Sequence, residues 1–389
     1  MSILPSKKNK TGTPREPLFH IIKRDTIVWY KAWAVRIIAV LAALVVCGVL
    51  ITLLSHKNPI EVYKAMIDGN FSTPRRIWMF FQELAILLCV ALAVTPAFKM
   101  QFWNIGAEGQ VLMGGLATAA VMLFLGDTFD NLESYFLASP VLSSFSFLPK
   151  ALFIIIMVVA ALLAGAVWGL IPALFKAKWN TNETLFTLMM NYIATQIVLF
   201  CICNWVRDGS GILRPMKDFG LPVVGPSAYF LNILIVAVLT VIMYVYLRYS
   251  KQGYEISVVG QSRNTARYVG IGVGKVVIRT MFISGLLCGL AGLLLVGGTN
   301  YTISTATAGG RGFTAIMVSW LGKFNPLYMV LTAGLVAFLQ RGSINIVTQF
   351  RLNDAISDII TGIILFFIIG CEFFLNYKIV FRHRNKEVK

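Results

Sequence analysis

The sequence predicts an all-α polytopic membrane protein with about ten transmembrane helices, and three observations carry that expectation. Of its 389 residues, 57% are hydrophobic and only 13% charged, with a mean hydropathy of +0.76, the balance of a chain whose solvent is largely lipid. Apolar runs that approach the length of a ~30 Å hydrocarbon core recur from one end to the other. The Lys and Arg residues behind the net charge of +17 gather in tails and connections. With the N-terminus inside, roughly two thirds of them fall on the cytoplasmic side, which is how inner-membrane proteins are oriented.

Residues 1–34 form a polar, basic tail carrying Lys7, Lys8, Lys10, Arg15, Lys23, Arg24 and Lys31. No small-residue cleavage site follows an apolar core there, so 35–54 is expected to remain as the first helix, entering from the cytoplasm. The second run, 77–96, carries Glu83 and is broken at Pro96. Next comes Phe102-Trp103-Asn104-Ile105-Gly106-Ala107-Glu108-Gly109-Gln110, polar and glycine-containing between apolar runs. A carboxylate and amides beside membrane spans are costly unless they face a cavity or the protein interior, which makes this stretch the first candidate for transport chemistry. A plainer account is a helix start whose Glu108 favours the positive end of the helix dipole. Span three is 111–125, with Gly114-Gly115 allowing close helix contact. Residues 126–150 are acidic and Ser/Pro-bearing, an expected external loop, and 152–174 is span four, with Gly165-x-x-x-Gly169 as a packing signal.

After a basic link with Lys176 and Lys178, Asn182-Glu183-Thr184 leads into span five, which runs to about Cys203. Thr184, Thr187, Asn191 and Thr195 fall on one helical face, a polar stripe expected to line a cavity. Hydroxyls bonding back to their own helix would explain the threonines but not Asn191. Proline and glycine place an external loop at 204–227, and 229–247 is span six. The longest polar insertion, 248–279, contains Gly260-Gln261-Ser262-Arg263-Asn264-Thr265-Ala266-Arg267 and then Gly270-Ile271-Gly272-Val273-Gly274-Lys275. Span seven, 280–296, has Gly285, Gly289 and Gly292 spaced for close packing. A flexible polar segment, 297–312, precedes two short runs, 313–321 and 327–339, split by Gly322-Lys323-Phe324-Asn325-Pro326; 356–375 is the last span and 376–389 a second basic cytoplasmic tail. Interrupted runs in the second half echo the break near Pro96 in the first, the pattern of two inverted halves.

Several chemistries are excluded. Gly274-Lys275 is followed by Val276 and lacks the upstream glycine of a P-loop, so the chain cannot hydrolyse ATP to drive transport. No nucleophile elbow, zincin motif or catalytic triad is present, and an enzyme is not expected. The six cysteines (Cys47, Cys89, Cys201, Cys203, Cys288, Cys371) lack metal or redox spacing, and His20, His56 and His383 are far apart, so no metal or cofactor is expected on this chain. Basic residues do not form an aromatic-interleaved patch, which argues against nucleic acid and for lipid headgroups. Two classes remain: a passive or ion-coupled carrier using Glu83, Glu108 or Asp358 as a proton or sodium site, or the membrane subunit of a pump whose motor is a separate chain. In the second, 248–279 is a docking element.

Five motifs in order resemble the permease subunits of bacterial ABC importers in the branched-chain amino acid and ribose superfamily. They are 102–110; Asn182-Glu183 through Asn191-Tyr192-Ile193-Ala194; the Gly-x-x-x-Asn-x-Ala-Arg-x-x-Gly-Ile pattern of 260–271; Ser284-Gly285-Leu286 through Leu290-Ala291-Gly292; and Gly310-x-Gly312-Phe313 before Leu321-Gly322-x-x-Asn325-Pro326. The first two are similar to the nucleoside and simple-sugar branch. The resemblance covers about 35–375 and implies a type II-like importer half with ten helices. It also implies a second permease, identical or related, two ATPase subunits carrying ATP and Mg, and a substrate-binding protein or lipoprotein. Carried over by motif, Gly260, Arg263, Asn264, Ala266, Gly270 and Ile271 would form the coupling helix seated in the ATPase. Asn104, Glu108, Gln110 and Asn191 would line or brace the substrate pathway, with Gly312 and Phe313 at its centre. Nucleosides are the first expectation for cargo and simple sugars the second.

Overall fold

Capping side chains decide where the apolar runs become helices. The computed structural model describes residues 19–23, 29–55, 58–138, 147–206, 213–351 and 353–381. Helix α3 (Pro74–Lys99) starts with proline at N1 behind Thr73, whose hydroxyl accepts the Arg76 N–H, and α6 (Glu183–Trp205) starts behind Asn182, whose side chain accepts two N–H groups. Each cap satisfies donors that the helix itself leaves unpaired.

The chain divides into two compact units, 70–339 and the pair of segments 1–69 with 340–389. In the larger unit, α3 is followed by α4 (Ala107–Ala138), α5 (Phe147–Trp179), α6, α7 (Phe230–Tyr249), α8 (Lys251–Gln261), α9 (Arg263–Tyr268), α10 (Val273–Leu295) and α11 (Arg311–Leu321). Its centre is the mutual packing of α4, α5 and α10, and glycines set the distances there. A Cβ on Gly165 would lie 2.3 Å from the Gly285 carbonyl oxygen, one on Gly285 2.4 Å from that of Gly165, and one on Gly289 2.3 Å from that of Ala161. The glycine spacing read from the sequence is therefore a true contact code. Helix α10 passes into a π turn, Val296–Asn300, and the Leu294 carbonyl just before that turn accepts from Asn232 and Thr299.

In the smaller unit, α1 (Trp29–Ser55) packs on α13 (Asp354–Asn376). Helices α2 (Pro59–Phe71) and α12 (Pro326–Phe350) each cross the boundary between the units. Strands β1 (Phe19–Lys23) and β2 (Tyr377–Phe381) pair antiparallel, Phe19 opposite Phe381 and Lys23 opposite Tyr377.

Several expectations change here. Among the described residues, seven helices are long and apolar enough to cross a membrane, with shorter apolar stretches at Leu41–Leu53 and Ile359–Cys371. The expected short run 327–339 is the first half of the 25-residue α12, because Arg341, Ser343 and Asn345 lower its hydropathy without breaking the helix. Helix α10 begins at Val273 rather than 280, since Lys275 and Arg279 sit in its first turns. Most of the expected loop 126–150 is helical, belonging to α4 and α5. The all-α expectation holds except for the β1–β2 ribbon, in which two short, largely apolar segments of the tails find each other.

Candidate functional site

The stretch 102–110 is not helical until Ala107, so its backbone groups need partners from elsewhere. Phe102 is buried and donates its N–H to the Ala97 carbonyl, closing a turn through Gln101 at φ +58. Thr187 accepts the Ile105 N–H at 3.2 Å, and Asn191 accepts the Gly109 N–H and donates to the Ile105 carbonyl, both at 2.9 Å. Asn104 is fully buried; its oxygen accepts from the Gly106 N–H at 3.1 Å and from Gln110 at 3.4 Å, and its amide donates to Ser284 at 3.2 Å. Thr187 and Asn191 therefore hold the backbone of a neighbouring segment, where a cavity-lining stripe was expected. Asn191 fastens the break to α6 and Asn104 fastens it to α10, while Gln110 braces Asn104 from within the stretch.

Glu108 reaches across to the second break. Its Oε1 accepts the Gly310 N–H and its Oε2 the Gly312 N–H, both at 2.7 Å. These donors belong to the head of α11, where free N–H groups and the positive end of the dipole favour a carboxylate. Gly310 sits at φ +73, a left-handed conformation that suits glycine and turns the chain into α11. Gly312 is required by proximity, because a Cβ there would lie 2.5 Å from the Glu108 nitrogen.

Beside this clasp, Arg311 forms a two-pronged pair with Glu83 of α3, Nε to Oε1 at 2.8 Å and Nη2 to Oε2 at 2.9 Å. A fork-on-fork pair fixes orientation as well as neutralising charge. Nothing in the sequence reading singled out Arg311, although a lone arginine at the head of a short apolar run was the available signal. At the other end of α11, Ser319 donates to the Ala91 carbonyl at 2.9 Å and lies 3.0 Å from Thr95. Phe313, Met317 and Trp320 occupy the opposite, exposed face at helical spacing. Trp320 is 50% exposed and stands 5.7 Å, centroid to centroid, from Trp103, itself 46% exposed.

The motif of 260–271 builds α8 and α9. Gly260 lets α8 touch the end of α3, since a Cβ there would lie 2.1 Å from the Lys99 carbonyl oxygen. Ile256, Val259 and Ala266 share a buried apolar cluster with Met100 and Phe102. Ser262 caps α9, Gly270 ends it at φ +84, and the Ile271 N–H closes back on the Ala266 carbonyl. Arg263 is 3.9 Å from Glu183, whose other oxygen is 2.8 Å from Lys176. Thus Gly260, Ala266, Gly270 and Ile271 shape the element, while Asn264 faces outward and Arg263 is partly exposed. Tyr268, at 95% exposure, is its most prominent side chain and was missed in the sequence because an exposed aromatic leaves no spacing signature.

Residues 77–369 match the family described as branched-chain amino acid transport system / permease component. The chain belongs to that permease family. Among curated proteins, it is similar to the guanosine ABC transporter permease protein NupP of Bacillus subtilis (strain 168), at 30% identity over 86% of this chain and 92% of that one. It is also similar to the glucose ABC transporter permease protein TsgB13 of Haloferax volcanii, at 28% over 92% of each, and to the nucleoside ABC transporter permease protein NupB of Lactococcus lactis subsp. cremoris, at 27% over 82% of this chain and 86% of that one. No solved structure matches it significantly. The permease is accordingly a multi-pass membrane transport subunit and not itself a catalyst. Its two breaks, distant in sequence, meet at Glu108.

Proposed function

We propose that this permease is the membrane-spanning half of an ATP-driven ABC importer for nucleosides, with ATP and Mg held by separate ATPase chains. The carrying observation is the position and face of α11. Glu83 lies about 14 Å along α3 from Pro74 at 1.5 Å per residue, close to the middle of a ~30 Å hydrocarbon core. Its partner Arg311 therefore sets the head of α11 near mid-membrane. The adjoining Ser304, Thr305 and Ala306 are exposed, and non-helical polar backbone at that depth is tolerated only in protein or along a water-filled cavity. The exposed Phe313, Met317, Trp320 and Trp103 then form a wall of that cavity, and aromatic faces suit a planar base.

In this reading α8 and α9 dock on the ATPase, both tails are cytoplasmic, the membrane is the bacterial inner membrane, and two inverted halves meet at Glu108. A second permease, identical or related, completes the path, and a binding protein or lipoprotein delivers the cargo. Simple sugars are the second reading, supported by the resemblance to the glucose permease along nearly the whole chain. An ion-coupled carrier is disfavoured, because Glu83 is neutralised by Arg311 and both Glu108 oxygens are occupied. The side chain of Asp358 lies outside the described residues.

The test is uptake by proteoliposomes holding the permease with its ATPase, sister subunit and binding protein. ATP-dependent uptake of labelled guanosine is expected, with unlabelled nucleosides competing and glucose not. Competition by glucose alone selects the sugar reading, and gradient-driven uptake without any ATPase restores the carrier. Arg263→Glu is expected to abolish cargo-stimulated ATP hydrolysis.

A further inference from the structure

We infer that Glu108 is the positioning residue through which movement of the α8–α9 element is passed to α11. This inference rests on the reading of α8–α9 as the motor-docking element. Three attachments along one short stretch carry it. At its start, Met100 and Phe102 are sunk in the same apolar cluster as Ile256, Val259 and Ala266, and Gly260 brings α8 against the Lys99 backbone. In its middle, Thr187 and Asn191 tie it to α6, whose first residue, Glu183, is also the one facing Arg263. At its end, Glu108 holds two donors of the α11 head, the N–H groups of Gly310 and Gly312.

Between these points the backbone is not helical, so 101–106 can change course without breaking a helix ladder. Helix α11 has a separate anchor on α3 through Glu83 and Arg311. Ser319 adds a bond to the Ala91 carbonyl of α3, so the seat of α11 is shared between α3 and Glu108 of α4, and relative motion of α3 and the head of α4 must tilt it. Close-packed interfaces shift between discrete arrangements rather than stretch, so a small displacement at Phe102 becomes a change in the wall formed by Phe313, Met317 and Trp320.

The chemistry of the clasp makes it separable from the rest. A carboxylate accepts both N–H groups; an amide offers one acceptor and turns a donor toward the other. In the reconstituted complex, Glu108→Gln is expected to lower cargo taken up per ATP hydrolysed at least tenfold. Glu108→Asp keeps the charge but is one methylene short, and is expected to lower that ratio about threefold, with the complex assembled even if the glutamine variant misfolds. A ratio within twofold of the parent in Glu108→Asp, or uptake and hydrolysis falling in proportion in Glu108→Gln, overturns the assignment. Undiminished stimulated hydrolysis in Arg263→Glu overturns the docking reading instead, because that residue lies at the opposite end of the link.

Discussion

The contact between α4, α5 and α10 and the seat of α11 solve one problem, joining helices in lipid, by opposite means. In the first, backbones meet at Gly165, Gly285 and Gly289 with no room for even a methyl group. In the second, a helix of 11 residues is fixed by a forked ion pair and by a carboxylate on its free N–H groups. Where lipid tails are as apolar as the protein, close van der Waals contact joins helices over a broad area and permits no alternative. Directional bonds instead hold separate points, at the head of α11 and again at Ser319. The static contact is therefore central, and the directional one sits where two interrupted segments meet.

Substitutions that exchange the character of each region test this contrast. The largest effect is expected for Gly285→Leu, whose side chain has to displace the α5 backbone. A destabilisation of about 3 kcal/mol should appear as a much lower thermal midpoint of the detergent-solubilised protein and a loss of monodisperse material. Next comes Arg311→Met, which strands the Glu83 carboxylate inside the protein and is expected to cost ~3 kcal/mol. The double variant Glu83→Leu with Arg311→Met should recover most of that thermal stability while remaining deficient in uptake, since an apolar pair cannot orient α11. Full recovery of uptake would show that the ion pair serves stability alone. The smallest effect is expected for Thr187→Val, which removes one acceptor from the Ile105 N–H at a cost of about 1 kcal/mol. Faster hydrogen exchange confined to 103–107 is the readout, with uptake little changed.

Much of this was legible in the chain itself. Apolar run length marks the spans, the glycine intervals mark the faces by which α5 and α10 touch, and Asn182 marks the start of α6, because each of these signals acts within a few residues. The stretch 102–110 was legible as anomalous and 260–271 as a shaped polar motif. What 102–110 is joined to was less legible: Asn191 was expected on a cavity-lining face, and only the position of the 103–109 backbone shows it bonded to Ile105 and Gly109. The long run of α12 and the β1–β2 ribbon were hidden for a related reason, since polar residues within a helix and short apolar segments in tails resemble loops when their partners are out of view.

By itself, then, the sequence determines a polytopic permease with two interrupted regions, because lipid imposes a length and polarity code that acts locally along the chain. That Glu83 belongs to Arg311, 228 residues away, and that Glu108 belongs to the head of α11, was decided by tertiary structure alone. A carboxylate in an apolar run announces only that it needs a partner; which donor supplies it depends on how α3, α4 and α11 come together in three dimensions.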